Sequence, residues 1–394
     1  MSLLRGLKIL DFSTLLPGPY ATMMLADMGA EVLRVESHVR ADITRYFPPL
    51  IDGVSAVHGH LNRSKRSISL DLKKPEAIEL VKRLVQEYDI VLEQFRPGVM
   101  DRLGIGYETL KLVNPSLIYC SITGYGQSGP YKNLPGHDIN FLSISGIMGY
   151  SGSKENGPSL MGTQVADLAG GSLHSVIGIL SAVIFRERTG EGQCLDISMT
   201  DCSFAMNAML GSGFLASGRC HPEPESLPLN GGTFYDFYRT KDGRYFSVGS
   251  VEPQFRKMLC EGIGREDLIE VAMIDDEPEK LSQFKEAVRE AFLGKNFDEW
   301  RGIFADLPAC VEPVLKFSEA CEHPQIQARN MVVDVHKSNG ETQRQIAHPI
   351  KSSAYNAIYK HIGSELGENT WDVLQEFGIS YKEIEKMKRD GVIA

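Results

Sequence analysis

Short runs of aliphatic and β-branched residues recur through the first 125 positions, separated by stretches whose apolar residues return every three or four places. The first kind suits strands and the second suits helices packed by one face. Lys8 to Phe12, Glu31 to Val35, Ser67 to Leu72, Ile90 to Glu93 and Leu117 to Thr123 are the expected strands. Pro17-Gly18-Pro19 opens a helix through Ala21, Met24 and Leu25 that closes near Gly29, since proline fits a first helical turn and glycine an exit. Pro75 to Tyr88 gives another, with Ile78, Leu80, Val81 and Leu84 on one side. Such alternation predicts a parallel sheet covered by helices, and right-handed crossovers make it Rossmann-like. A helical region from Leu168 to Phe185 and a strand at Cys194 to Ile197 complete this part.

The pattern then changes. Tyr235 to Thr240 and Tyr245 to Val251 read as a hairpin about Lys241-Asp242-Gly243-Arg244, where Asp-Gly accepts the positive φ of a tight turn. Acid-rich helices follow from Pro253 to near Gly264 and from Pro278 to near Leu293, then a return strand at Val311 to Leu315. Ser338-Asn339-Gly340 turns Val332 to His336 back toward the Ile346 region. The fold class expected is α/β, with a Rossmann-like large domain and a smaller α+β domain. Residues 1–197 begin the large domain, 198–231 link, 232–324 form the small domain, 325–340 return, and 341–394 complete the large domain.

Composition narrows the setting. The 394 residues are 42% hydrophobic and 23% charged, and 41 basic against 51 acidic residues leave a formal charge of −10. That balance argues against nucleic acid or an anionic membrane as partner. Seven scattered cysteines without a Cys-x-x-Cys spacing are expected as buried thiols in a reducing compartment. Met1-Ser2-Leu3-Leu4-Arg5-Gly6 runs into the first strand with no basic region, apolar core and cleavage site in series, so a cytoplasmic location is expected. The longest apolar stretch, Leu173 to Phe185, is shorter than the ~20 residues of a membrane span and reads as a buried helix.

Gly124-Tyr125-Gly126-Gln127-Ser128-Gly129 follows a strand and matches G-x-G-x-x-G, but Pro130 and Pro135 stand where a dinucleotide site needs a helix to open. Neither a G-x-x-x-x-G-K-[ST] loop nor a G-x-S-x-G elbow occurs. Metal chemistry finds no ligand spacing at His137 and Asp138, and Cys220-His221 lies in a Pro-Glu-rich loop without a second pair. Basic residues gather at Asn62-Arg63-Ser64-Lys65-Arg66, Lys73-Lys74, Arg96 and Arg102, and at strand ends they suit a phosphorylated group. Gly136-His137-Asp138-Ile139-Asn140 and, thirty residues after His137, Asp167 in Ala166-Asp167-Leu168-Ala169-Gly170-Gly171 are the strongest chemical features. An imidazole and a carboxyl on glycine-flanked turns can serve as proton carriers on opposite faces of a substrate carbon. Glu252 by itself reads as a carboxylate at a helix start.

These segments together resemble the class III CoA-transferase family, through Gly6-Leu7-Lys8-Ile9-Leu10-Asp11, Pro17-Gly18-Pro19, Asp27-Met28-Gly29-Ala30-Glu31-Val32, Asn62-Arg63-Ser64-Lys65-Arg66-Ser67, Arg96-Pro97-Gly98, the Gly124–Pro130 stretch and Asp167. Gly136-His137-Asp138-Ile139-Asn140 and Val251-Glu252-Pro253-Gln254-Phe255 resemble its α-methylacyl-CoA racemase branch; transferase members commonly carry tyrosine where His137 stands. The resemblance implies catalysis by His137 and Asp167, with Glu252 supporting the histidine, on an acyl-CoA substrate without a separate cofactor or metal. It implies coenzyme A contacts at Leu70, Asp71, Leu72 and Lys73, at Gln94, Phe95 and Arg96, at Arg102, and at Gly136, His137, Asp138, Ile139, Asn140 and Phe141. An arginine that related racemases carry after the second strand is replaced by Ser37 and His38, which changes the adenine end. An interlocked homodimer is also implied, placing Glu252 of one subunit beside His137 of the other. A CoA-transferase using Asp167 as nucleophile is the alternative. The acyl group stays open, with Met148, Met161, Met206 and Met209 lining its pocket or filling core.

Overall fold

Ile9, Leu10, Val32, Leu33, Val91 and Leu92 are sealed from solvent, as strands covered on both faces must be. They lie in a six-stranded, all-parallel sheet: β1 Lys8–Asp11, β2 Glu31–Glu36, β3 Arg66–Ser69, β4 Ile90–Glu93, β5 Ile118–Thr123 and β6 Gln193–Ser198. The spatial order is β3-β2-β1-β4-β5-β6, the doubly wound order that reverses direction between β1 and β4. Lys8 pairs with Glu31 on one side of β1, and Ile9 with Ile90 on the other. Helices α1 Pro17–Asp27 and α2 Pro75–Leu84 follow β1 and β3. The Rossmann-like α/β expectation is met. The third strand stops at Ser69 instead of Leu72; two residues on, the Asp71 N–H bonds to the Val392 carbonyl.

The computed structural model describes residues 2–219 and 221–394, so Cys220 of the Cys220-His221 pair lies outside the described residues. Two compact units emerge, one of residues 1–145, 161–206 and 325–394, the other of 146–160 and 207–324. The expected bounds therefore shift: 146–160 leaves the large domain, 207–231 is part of the second unit rather than a linker, and 325–340 belongs to the first unit. Val332–His336 pairs antiparallel with Thr342–Ile346 there. The first unit's core joins Leu10, Leu33, Ile68 and Val91 to Leu374, Ile384 and Ile393 near the C-terminus.

The second unit centres on an antiparallel sheet of Asp236–Arg239, Tyr245–Val248 and Val311–Pro313, with the middle strand between the other two. Gly243 takes φ of +83° in the expected turn. Phe246, Phe284, Phe292, Trp300 and Phe304 build its core. The helix Pro278–Leu293 has the expected bounds.

The predicted Leu168 to Phe185 helix is longer and has two windings. Ala166–Leu173 is a π-helix and runs into α4, His174–Thr189. The 24-residue whole is long and apolar enough to cross a membrane by length and composition, and less than half of its apolar window is buried. α4 packs against β5 and β6 but leaves Ile177, Ile184 and Phe185 exposed, as is Leu173 at the end of the π-helix. No disulfide joins the six described cysteines; Cys120 and Cys260 are buried as expected, whereas Cys194 and Cys310 are exposed.

Candidate active site

The strand order reverses between β1 and β4, and the chains leaving their C-terminal ends are held together by side chains. Buried Asp11 accepts from the Ser13 N–H at 2.8 Å and the Thr22 hydroxyl at 2.6 Å, shaping the exit from β1. Glu93 accepts the Phe95 N–H at 2.7 Å after β4, and burial pushes its carboxyl up to about 7. Gln94 Oε1 accepts the Gly18 N–H at 3.1 Å, tying the second exit to the start of α1. Above this clamp opens a cavity of about 290 Å³, in the crevice where doubly wound sheets hold ligands. Leu15 and Pro17 line it from β1, Gln94 to Pro97 from β4, and Ile122 to Tyr125 from β5, with Lys132, Leu134 to His137, Phe141, Asp167 and Met199 closing it.

His137 takes the N-cap position of helix α3, Asp138–Ile144, and donates its backbone N–H to Asn140 Oδ1 at 3.0 Å. Its side chain is exposed. Phe141, one turn on, is buried against glycines: a Cβ added to Gly124 or Gly136 would stand 2.4 or 2.5 Å from its ring. Asp167 lies in the first turn of the π-helix, where Ala169, Gly170 and Gly171 allow tight packing; a Cβ on Gly171 would meet Pro17 at 3.0 Å and Met199 at 3.2 Å. Such wide windings recur at functional sites. Asp138 Oδ1 accepts the Ala166 N–H at 2.6 Å and the Asp167 N–H at 3.1 Å. Burial first, and the Asp138 charge second, push the Asp167 carboxyl from 3.8 up to about 6, with His137 pulling it back. Near neutral pH such a carboxyl exists in both protonation states, as a group that gives and takes protons must.

Seven of the predicted site residues share this cavity: Gln94, Phe95, Arg96, Gly136, His137, Phe141 and Asp167. Others stand elsewhere. Leu70 is wholly buried in the core, and Leu72, partly buried, packs against it. The Asp71 N–H is taken by Val392, and Lys73 is exposed beyond β3. Arg102 is exposed on the short helix Val99–Leu103. Asp138 and Asn140 spend a carboxylate and an amide oxygen on internal N–H groups, while Ile139 is exposed. Glu252 is exposed in the second unit, at the N-cap of the helix Pro253–Gly262. His38 Nδ1 pairs with Ser69 Oγ at 2.9 Å.

The basic cluster at 62–66 needs correction as a phosphate site. Arg63 is fully buried and gives Asp27 two hydrogen bonds, of 2.9 and 2.6 Å; Lys65, also buried, reaches Asp11 at 3.4 Å. Arg66 pairs with Glu376. Met161, Met206 and Met209 are exposed, and only Met148 of the four methionines is buried. Lys132, Leu15, Tyr125 and Met199 were not expected; Lys132 sits between the two glycine motifs, a position that could have flagged it. No group of three or more His, Cys, Asp and Glu able to hold a metal occurs among the described residues. A larger recess of about 700 Å³ has Arg5 with hydroxyl and amide groups but no paired proton carriers.

Comparison with known proteins gives concordant matches. The model of the family described as CoA-transferase family III matches residues 4–370. Human alpha-methylacyl-CoA racemase is 35% identical over 393 residues, covering 99% of this chain and 97% of that protein. Succinate–glutarate CoA-transferase of Agrobacterium fabrum is also 35% identical, covering 95% of each chain. The crystal structure of a CAIB/BAIF family protein from Brucella suis superposes with a TM-score of 0.83 at 31% identity, covering 95% of this chain and 99% of the other.

Proposed function

This chain is an enzyme of CoA-transferase family III, and from that premise we propose that it racemises 2-methylacyl-CoA thioesters, with His137 and Asp167 as its two proton carriers. The observation that carries the reading is the cavity they share at the point where the strand order reverses. A hydrogen α to a thioester is weakly acidic, and inversion needs a base on one face of the carbon and an acid on the other. Neutral His137 takes the proton from one enantiomer while protonated Asp167 returns one to the opposite face. The roles exchange for the other enantiomer, so one C–H bond breaks, one forms, and no electron leaves the substrate. A carboxyl held near 6 serves both roles. Coenzyme A enters as part of the substrate. Arg96 and Lys132 line the cavity and present cations to its polar arm.

The chain is further proposed to work as a homodimer in which Glu252 of a second copy supports His137. The apolar stripe Leu173, Ile177 and Ile184 left open on the long helix supports pairing.

A CoA-transferase is the second reading, favoured by the equal identity to the Agrobacterium enzyme. Ionised Asp167 then attacks the thioester carbonyl, CoA leaves as thiolate, and a mixed anhydride remains on the enzyme. Incubation with a 2-methylacyl-CoA in deuterated water separates the two. We expect deuterium at the α-carbon without any acceptor acid, and its loss in His137→Gln. Absence of exchange together with hydroxylamine trapping at Asp167 overturns the racemase in favour of the transferase.

A further inference from the structure

Asp138 lies beside His137 in sequence and hydrogen-bonds the segment that carries Asp167. Both bonds end on one oxygen, Asp138 Oδ1, and both donors are backbone N–H groups of the first π-helical turn. These donors have no carbonyl partner within their own helix, as at any helix start. A side chain from 28 and 29 residues earlier fills that role. The tie therefore fixes the Asp167 backbone relative to the turn bearing the imidazole.

We propose that Asp138 is a positioning residue: its carboxylate sets the spacing of the two proton carriers and places a like group beside Asp167. The inference rests on Asp167 being a reacting group, whether as proton carrier or as nucleophile. The charged groups acting on Asp167 are Asp138 and His137, both from the α3 turn. The elements packed on its other sides contribute Asp27 of α1, locked to Arg63, Asp201 and Cys202 of the helix Met199–Ala205, His174 of α4 and Asp196 of β6; none of these is among the charges that displace it. Removing the Asp138 charge then leaves burial, opposed by His137, and Asp167 binds its proton less tightly.

The test separates the charge from the hydrogen bonds. Asp138→Asn retains an acceptor oxygen and loses the charge; Asp138→Ala loses both. Protonation of Asp167 is read without turnover, as the pH midpoint of carbodiimide coupling at that carboxyl, followed by peptide mass spectrometry. The midpoint is expected to fall by about one unit in Asp138→Asn. In Asp138→Ala, α-proton exchange is expected to fall roughly 100-fold, as for a misplacement of about 1 Å, and in Asp138→Asn only about tenfold, the share of protonated Asp167 that a one-unit fall removes. An unmoved midpoint in Asp138→Asn, or equal exchange rates in folded Asp138→Ala and wild type, overturns the proposal. If wild type turns over no thioester and the Asp138→Asn midpoint still falls, the functional assignment fails and the positioning role stands.

Discussion

The Phe141 ring occupies the space a side chain on Gly136 would need: a Cβ there would stand 2.5 Å from Phe141 Cε1 and 2.9 Å from the Tyr125 hydroxyl. Because His137 is the next residue, relief of that clash must move the ring or the turn holding the imidazole. Gly136→Ala is expected to cost about 1–3 kcal/mol of stability by overpacking and to lower kcat roughly 100-fold by misplacing the imidazole. Adding Phe141→Leu should restore part of the rate. Thermal unfolding and steady-state kinetics on the single and double variants check this.

Asp167 supplies a pH prediction. Its carboxyl is raised from 3.8 to about 6 in the folded protein, so folding binds this proton more tightly. The associated stability is fully present below about pH 4 and is lost as pH rises through about 6. Asp167→Asn does not titrate, and is expected to exceed wild type in stability by about 1–2 kcal/mol at pH 7.5, with the gap closing below about pH 4. Chemical denaturation at several pH values measures the difference. A racemase requires one proton on the His137–Asp167 pair, so its kcat/KM falls on both sides of an optimum. A transferase needs only ionised Asp167, and its rate climbs through about pH 6 to a plateau.

The open stripe on α4 gives a third expectation. Ile177 is 61% exposed and Ile184 is 50% exposed, seven residues apart on one helical face. If a second copy covers this face, sedimentation velocity finds a dimer and Ile177→Lys shifts it toward monomer. Vesicle flotation of the wild-type protein with no dimer in solution would assign the stripe to lipid instead.

The sheet was legible because parallel strands buried on both faces read as apolar runs and their covering helices repeat at a different period. Ile90–Glu93 has the expected bounds, and the expected Leu117–Thr123 differs by one residue. The hairpin of Leu50–Ile51 with Val54–Ser55 was invisible, since two-residue strands carry no alternation to detect. The helices Thr370–Glu376 and Tyr381–Arg389 went unread, although Ser380 and Glu383 form a capping box whose spacing stands in the sequence.

At the site, local signals revealed His137 and Asp167, because small residues crowd the chain beside each. Long-range pairing hid the rest. Arg63 and Lys65 look like surface cations until Asp27 and Asp11, 36 and 54 residues earlier, arrive to bury them. The link from Asp138 to the Asp167 turn joins a side chain to backbone N–H groups, which no residue-type pattern encodes.

Asp11 decides which chemistry this sheet can host. Nucleotide-dependent dehydrogenases of the same strand order lay a diphosphate on the turn after the first strand, against bare amides and a helix N-terminus. Here an internal carboxylate already occupies that turn, engaged by Ser13, Thr22 and Lys65. An incoming diphosphate would meet an anion in its own cradle. Redesign toward hydride transfer would have to begin by deleting Asp11, and with it the partner that neutralises buried Lys65.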